Sequence, residues 1–124
     1  MSKAYGELQT YMDKAMAIKT AMTLFEWDNE TAAPKEAAER TAAVIGSLSS
    51  QYLDIMTGEK LKTALEECSG QMSEMTEVEQ AIVRETKEEV EKLERIPADE
   101  YRSFAELTAR ATGIWADARE KNDF

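Results

Sequence analysis

Histidine does not occur anywhere in the 124 residues of this chain. Its absence excludes Ser-His-Asp and Cys-His catalytic sites, H-E-x-x-H zinc sites and the Glu-x-x-His pairs of di-iron bundles, because each needs an imidazole. The single cysteine, Cys68, excludes an internal disulfide and a Cys₄ zinc site, and it is typical of a reducing compartment. We therefore expect no catalytic residue, no metal site and no cofactor in this chain by itself.

Glycine and proline are also scarce, with five and two residues, which removes the usual turn signals of a β protein and favours long helices. No apolar run approaches the roughly 18 residues of a membrane span, and the polar N-terminus lacks the apolar run of a signal peptide. The net charge of −10 repels phosphate backbones and anionic lipid, so nucleic-acid and membrane-surface binding are disfavoured. These features predict a cytoplasmic protein.

Apolar residues recur at steps of three and four, which is the spacing of amphipathic helices. The first stripe covers residues 5–25, and residues 28–31 should end that helix because their side chains can bond their own backbone. Pro34 fits the first turn of a second helix, whose stripe covers residues 44–55. Gly58 marks its end.

A short third helix and a longer fourth one follow. One face of the third helix carries Leu61, Ala64, Leu65 and Cys68. The fourth begins with a capping box, in which Thr76 accepts from the Glu79 N–H and the Glu79 side chain returns to the Thr76 N–H. It runs to Ile96 and is broken by Pro97, because the residue before a proline is pushed away from helical geometry.

The last predicted helix has the longest stripe, made of Tyr101, Phe104, Leu107, Ala111, Ile114, Trp115 and Ala118. Gly113 within it costs about 1 kcal/mol relative to alanine, which indicates a close packing contact at that position. No strand-like alternation occurs. The predicted fold is therefore all-α, an extended bundle of about five helices with mostly antiparallel neighbours, and residues 1–124 form a single helical segment.

Carboxylates are the remaining side chains that could take part in catalysis. On the fourth helix they alternate with lysine and arginine, which is typical of a solvated, ion-paired face. Asp28 and Glu30 lie beside Trp27, and a glycosidase active site uses two carboxyl groups, one of which can have its pKa raised by a nearby aromatic ring. The same residues equally fit a helix stop and restart, so a carboxylate-only hydrolase remains the weakest of the hypotheses.

Two blocks of sequence carry a family resemblance. Residues 21–40 read AMTLFEWDNETAAPKEAAER and contain a Trp-Asp-x-x-Thr-x-x-Pro pattern followed by an arginine, at Trp27, Asp28, Thr31, Pro34 and Arg40. Near the C-terminus a W-x-x-A-R-x-x-N-D-F pattern is formed by Trp115, Ala118, Arg119, Asn122, Asp123 and Phe124. Both blocks, in this order and spacing, resemble the amino-terminal region of the Taq-type (thermostable) metallocarboxypeptidase family.

The resemblance implies a larger enzyme. Members of that family are long helical proteins, often homodimers, that bind zinc or cobalt through H-E-x-x-H and remove single residues from peptide C-termini. Their metal and catalytic motifs lie beyond the region matched here, so the matched positions are expected to be structural. The implied role is a helical wall over the peptide cleft, inactive alone, with zinc or cobalt bound only in the full-length parent.

Two partners follow from that hypothesis. The first is the remainder of the parent peptidase, and the second is another copy of this chain, bound through an exposed apolar face of the first or last helix. The competing hypothesis is a self-contained helical adaptor that binds another protein. A reading frame that continues to H-E-x-x-H would favour the peptidase, and a native stop after codon 124 would favour the adaptor.

Overall fold

The computed structural model describes residues 2–31 and 34–122. Over these residues it contains α-helices and short 3₁₀ turns and no strand, which confirms the predicted all-α class. The five α-helices are α1 (Lys3–Thr31), α2 (Ala38–Met56), α3 (Glu59–Ser69), α4 (Glu77–Glu94) and α5 (Ala98–Lys121). The 3₁₀ turns are Lys35–Ala37 and Met72–Glu74. None of the helices in the described part combines the length and the apolar character needed to cross a lipid bilayer.

The first helix ends later than predicted. It continues through residues 28–31, which we expected to end it. The reason is that these residue types each cost only tenths of a kcal/mol in a helix, and no glycine or proline lies among them. The Thr31 hydroxyl donates to the Trp27 carbonyl oxygen at 2.7 Å, a bond made inside the helix. Pro34 is extended, with φ −61° and ψ 144°, and precedes the 3₁₀ turn instead of lying in the first turn of α2.

Gly58 has a different role from the predicted one. Its φ of −74° and ψ of 155° are extended, and it stands immediately before α3 and not as a left-handed residue closing α2. A Cβ atom at this position would lie 2.7 Å from the Asp54 carbonyl oxygen. Glycine is therefore needed here because the backbone passes close to the preceding helix, and not because of a positive φ.

Residues 2–17 and 51–97 make one compact unit with a well-filled core. Its buried large side chains are Tyr5, Leu8, Tyr52, Leu53, Met56, Leu61, Leu65, Met75, Val83, Val90 and Leu93. The predicted apolar face of α3 is buried at all four positions, Cys68 included. The first bond of the predicted capping box is present as well, because Thr76 Oγ1 accepts from the Glu79 N–H at 3.2 Å.

Residues 18–50 and 98–122 belong to a second compact unit, whose core is small. Ala42 and Ile45 are its buried apolar residues, joined by Ser49. The close approach that was predicted at Gly113 occurs instead at Gly46 of α2, where an added Cβ would lie 2.8 Å from the Glu106 carboxyl carbon. Within the described residues an added Cβ at Gly113 meets no atom within 4 Å, so that prediction was wrong.

Candidate functional site

The first block of the family pattern lies at the end of α1 and the start of α2. Trp27 is 67% exposed and Asp28 is exposed on the same helix. Thr31 is the last residue of α1, Pro34 precedes the 3₁₀ turn, and Arg40 is exposed on α2. Thr31 and Trp27 are joined by the hydroxyl–carbonyl bond described above. The remaining residues of this block present polar and aromatic surface outward.

The second block lies at the end of α5. The Arg119 guanidinium carbon is 4.9 Å from the centroid of the Trp115 ring, a cation–π contact worth about 0.5–1 kcal/mol at an exposed site. Asn122 has a φ of 54°, and its N–H donates to the Arg119 carbonyl oxygen at 3.2 Å, which closes the helix. The pattern residues Asp123 and Phe124 lie outside the described residues.

The two carboxylates of the hydrolase hypothesis are not brought together. Asp28 and Glu30 are both exposed and are two residues apart on the continuous helix α1. Side chains two apart on a helix point to nearly opposite sides. A glycosidase needs both carboxyl groups on the same scissile bond, so this geometry contradicts the hypothesis.

The second unit contains a groove of about 380 Å³ that sequence reasoning missed. Ile45 and Ser49 of α2 form part of its lining. α1 contributes Met22, Glu26, Asn29 and Glu30, and α5 contributes Tyr101, Phe104, Ala105, Thr108, Ala109 and Thr112. Met22, Glu26 and Asn29 share one side of α1, and this spacing could have indicated a groove. The pattern was not recognised because Glu26 and Asn29 are polar and interrupt the apolar stripe.

Ser49 in the groove is not placed to act as a nucleophile. The Ser49 hydroxyl is buried and bonded to the carbonyl oxygens of Ile45 and Gly46, both at 3.0 Å. A catalytic serine needs a general base beside it, and the described residues that line the groove include no histidine or lysine. What the groove offers is an apolar surface with two exposed carboxylates, Glu26 and Glu30, on one side.

Metal donors are not clustered either. Across residues 2–31 and 34–122, no three histidine, cysteine or carboxylate side chains converge in a way that could hold a metal ion. Cys68 is buried in the first unit, and burial raises the pKa of its thiol, which keeps it protonated and unreactive. The residues described here therefore do not fit a catalytic zinc ion.

Ion pairs join the start of α2 and the turn before it to α5. The Lys35 ammonium group lies 2.9 Å from an Asp117 carboxylate oxygen and 3.4 Å from one of Glu120. The Glu39 carboxylate accepts from Arg110 at 2.9 Å. Hydrogen bonds from Lys121 and from Lys35 lower the pKa of the Asp117 carboxyl group. These exposed pairs orient α5 and are sensitive to salt and pH.

A comparison with models of protein families shows which family the chain belongs to. Residues 7–124 match the model described as Carboxypeptidase Taq (M32) metallopeptidase. The chain belongs to the M32 carboxypeptidase family. The resemblance drawn from the two sequence blocks is thereby confirmed.

The M32 chain is also similar to characterised relatives. It is 32% identical over 104 residues to carboxypeptidase 1 of Bacillus subtilis, a match that covers 84% of this chain and 21% of that protein. It is 28% identical over 108 residues to thermostable carboxypeptidase 1 of Pyrococcus furiosus, which covers 87% of this chain and 21% of that protein. The chain therefore spans about a fifth of the length of these relatives.

A solved structure matches the M32 chain in three dimensions. It is described as "BsuCP Crystal Structure", and it superposes with a TM-score of 0.94 at 28% sequence identity. The match covers 99% of this chain and 25% of the other. The chain thus corresponds to an amino-terminal part of an M32 carboxypeptidase-like protein, about a quarter of the solved relative.

Proposed function

We propose that this chain is the amino-terminal helical wall of the peptide cleft in a metal-dependent carboxypeptidase that releases C-terminal residues from peptides. The observation that carries the proposal is the TM-score of 0.94 over 99% of this chain against a quarter of a solved M32 relative. On this proposal residues 1–124 act as one segment of a larger peptidase fold. The matched pattern residues, from Trp27 to Phe124, serve structure and not chemistry.

The catalytic ion belongs to the part of the protein that lies outside this segment. Zinc or cobalt is the ion we expect there, and we derive no catalytic step from residues 2–31 and 34–122 because no donor set converges among them. The segment's own contribution is surface, namely the apolar groove with Glu26 and Glu30 beside it. We further propose a cytoplasmic location, based on the single cysteine.

A transplant tests the proposal. Residues 7–124 would replace the matched segment of carboxypeptidase 1 of Bacillus subtilis, and the chimera would be assayed for metal-dependent release of C-terminal residues. We expect the chimera to fold and to retain activity, whereas the isolated 124-residue chain should release nothing in the presence of zinc or cobalt. An inactive but folded chimera, or an active isolated chain, would contradict the proposal.

Self-association is the part of the proposal that concerns the isolated chain. Leu24 and Trp27 on α1 and Leu107 and Ile114 on α5 are more than half exposed. Exposed large apolar side chains on a helix face promote association in water. Sedimentation velocity over a concentration series should show growing oligomers, and a monomer at every concentration would count against it.

The exposed apolar side chains of α5 also favour the alternative function, a self-contained helical adaptor that binds another protein. The transplant distinguishes the two functions. An adaptor has no reason to restore carboxypeptidase activity when it is placed in a distant relative at about a third sequence identity.

A further inference from the structure

Helix α5 is oriented with its large apolar side chains outward. Phe104, Leu107, Ile114 and Trp115 are 57–70% exposed, although they belong to the longest apolar stripe predicted from the sequence. The side of α5 that carries Ala105, Glu106 and Ala109 approaches α2 and lines the groove, and Phe104 lies at the edge between this side and the exposed one. α5 therefore packs mainly through small residues and a carboxylate, and leaves Leu107, Ile114 and Trp115 in solvent.

This arrangement is typical of a helix between two layers. A surface helix normally turns its large apolar stripe toward the core and its polar side toward water. α5 instead has a packed side that approaches α2 at Gly46, and a second, apolar side that has no cover among the described residues. A helix that is apolar on more than one side is normally buried on both.

The spacing of the uncovered residues indicates what covers them. Phe104, Leu107, Ala111, Ile114 and Ala118 follow steps of three, four, three and four, the repeat of two helices packed side by side. An extended peptide would require a groove along the helix and not a protruding ridge of this spacing. The expected cover is another α-helix with an apolar seam.

We propose that α5 is an interior helix of the complete carboxypeptidase fold, and that its outer face, formed by Phe104, Leu107, Ile114 and Trp115, docks against an apolar helix from the remaining part of the protein. This inference rests on the proposed function. Its occupant follows from the solved relative, in which the matched region is 25% of a longer chain, so most of that protein is available to cover the face.

The chemistry of the partner helix is specified at one end of the face. Arg119 lies over the Trp115 ring and forms no ion pair within the described part of the chain. A covered arginine needs an opposite charge, because desolvation of an unpaired cation is costly. The docking helix therefore presents apolar side chains opposite Leu107 and Ile114 and a carboxylate near Arg119.

The test uses the chimera with carboxypeptidase 1 of Bacillus subtilis and the isolated chain side by side. The double substitution Leu107→Gln and Ile114→Gln introduces amide groups into the outer face without changing charge. The control is Val78→Gln, since Val78 is 69% exposed at the start of α4, outside the outer face of α5. Melting temperature, activity and oligomeric state are measured for each protein.

In the isolated chain, at a concentration where sedimentation shows a monomer, both changes should leave helicity intact and shift the melting temperature by less than about 2 °C, because the altered side chains are exposed. In the chimera the double substitution should lower the melting temperature by more than about 5 °C and reduce activity, while Val78→Gln does neither. If the double variant is insoluble, Leu107→Ala is compared with Val78→Ala instead. Leu107→Ala should again lower the melting temperature of the chimera more than Val78→Ala does, by a smaller amount than the double substitution.

The outcomes separate the inference from the function on which it rests. An active chimera that tolerates the double substitution would overturn the docking face and leave the proposed function standing. A folded but inactive chimera without substitutions would contradict the proposed function itself. If instead the chimera is a dimer that the double substitution dissociates at an unchanged melting temperature, a second copy covers the face and the inference is wrong.

Discussion

The two compact units bury apolar side chains to different degrees. Residues 2–17 and 51–97 contain fifteen of the seventeen buried apolar residues of the described chain. The unit containing residues 18–50 and 98–122 holds the other two, and it carries seven of the ten large apolar side chains that are exposed. Large apolar side chains supply about 1.5–3 kcal/mol each when they are buried, so the second unit lacks most of this stabilisation.

The contrast does not arise from composition alone. α4 and α5 both carry apolar stripes with helical spacing, and α4 buries Val83, Val90 and Leu93 whereas no large apolar side chain of α5 is buried among the described residues. The difference is that α4 has neighbouring helices on its apolar side within its own unit. On the docking proposed above, the exposed stripe of α5 is the side that a helix from the rest of the complete protein covers.

The largest expected effect comes from the same substitution made in both units. Leu61 of α3 is 1% exposed and Leu107 of α5 is 60% exposed. Leu61→Ala should lower the free energy of unfolding by about 2–5 kcal/mol through lost burial and a cavity, whereas Leu107→Ala should change it by less than about 0.5 kcal/mol. Urea unfolding followed by circular dichroism measures both, at a concentration where sedimentation shows a monomer. Equal losses would mean that Leu107 is covered in the isolated chain.

Hydrogen exchange should show the difference in stability between the two units helix by helix. Amides of α5 should exchange faster than those of α3 and α4, because local opening is easier where fewer apolar side chains are buried. Each 1.4 kcal/mol of difference in opening free energy appears as about a tenfold difference in protection. Exchange resolved by peptide or by residue checks this, and uniform protection along the chain would contradict the two-unit description.

A smaller effect is expected at the two glycines of the second unit. Gly113→Ala should stabilise the chain by about 1 kcal/mol, because alanine is the better helix former and no neighbouring atom of the described residues obstructs a Cβ. Gly46→Ala should give no such gain, since its Cβ would displace the Glu106 side chain, which is paired with Arg102. Thermal melts measure both changes.

Glu106→Ala is the control for the glycine pair. With the Glu106 side chain removed, Gly46→Ala should recover the helix-forming gain, whereas Gly113→Ala should stabilise the chain equally in both backgrounds. If Gly46→Ala stabilises the chain that retains Glu106, then moving the Glu106 side chain costs no free energy, and the prediction for Gly46 is wrong.

The smallest expected effect is a pH dependence of the second unit. The pKa of Asp117 is lowered by hydrogen bonds from Lys121 and Lys35. Its contribution to stability is therefore complete above the unfolded pKa of about 3.9 and is lost as the pH falls through the lower folded value. Thermal melts of the unaltered chain and of Asp117→Asn should differ slightly at neutral pH and converge below about pH 3. A difference that persists in acid would contradict this assignment.

Local signals predicted the structure well where the contacts are local. The Thr76 cap and the buried face of α3 were confirmed, because a cap involves neighbours three residues apart and α3 has one apolar side. The end of α1 was misplaced, because the polar residues 28–31 are compatible with both a turn and a helix. The groove was missed because its lining comes from three helices that are distant in sequence.

The sequence by itself determined the helical class, the absence of an imidazole for catalysis and the membership of the M32 family. Those properties depend on residue types and on spacings within one segment. Only the tertiary structure decided that Gly46 and not Gly113 lies at the close contact, and that α5 turns its large apolar side chains outward. A helical stripe specifies which residues share a side, but the side that becomes buried depends on which neighbours are present to cover it.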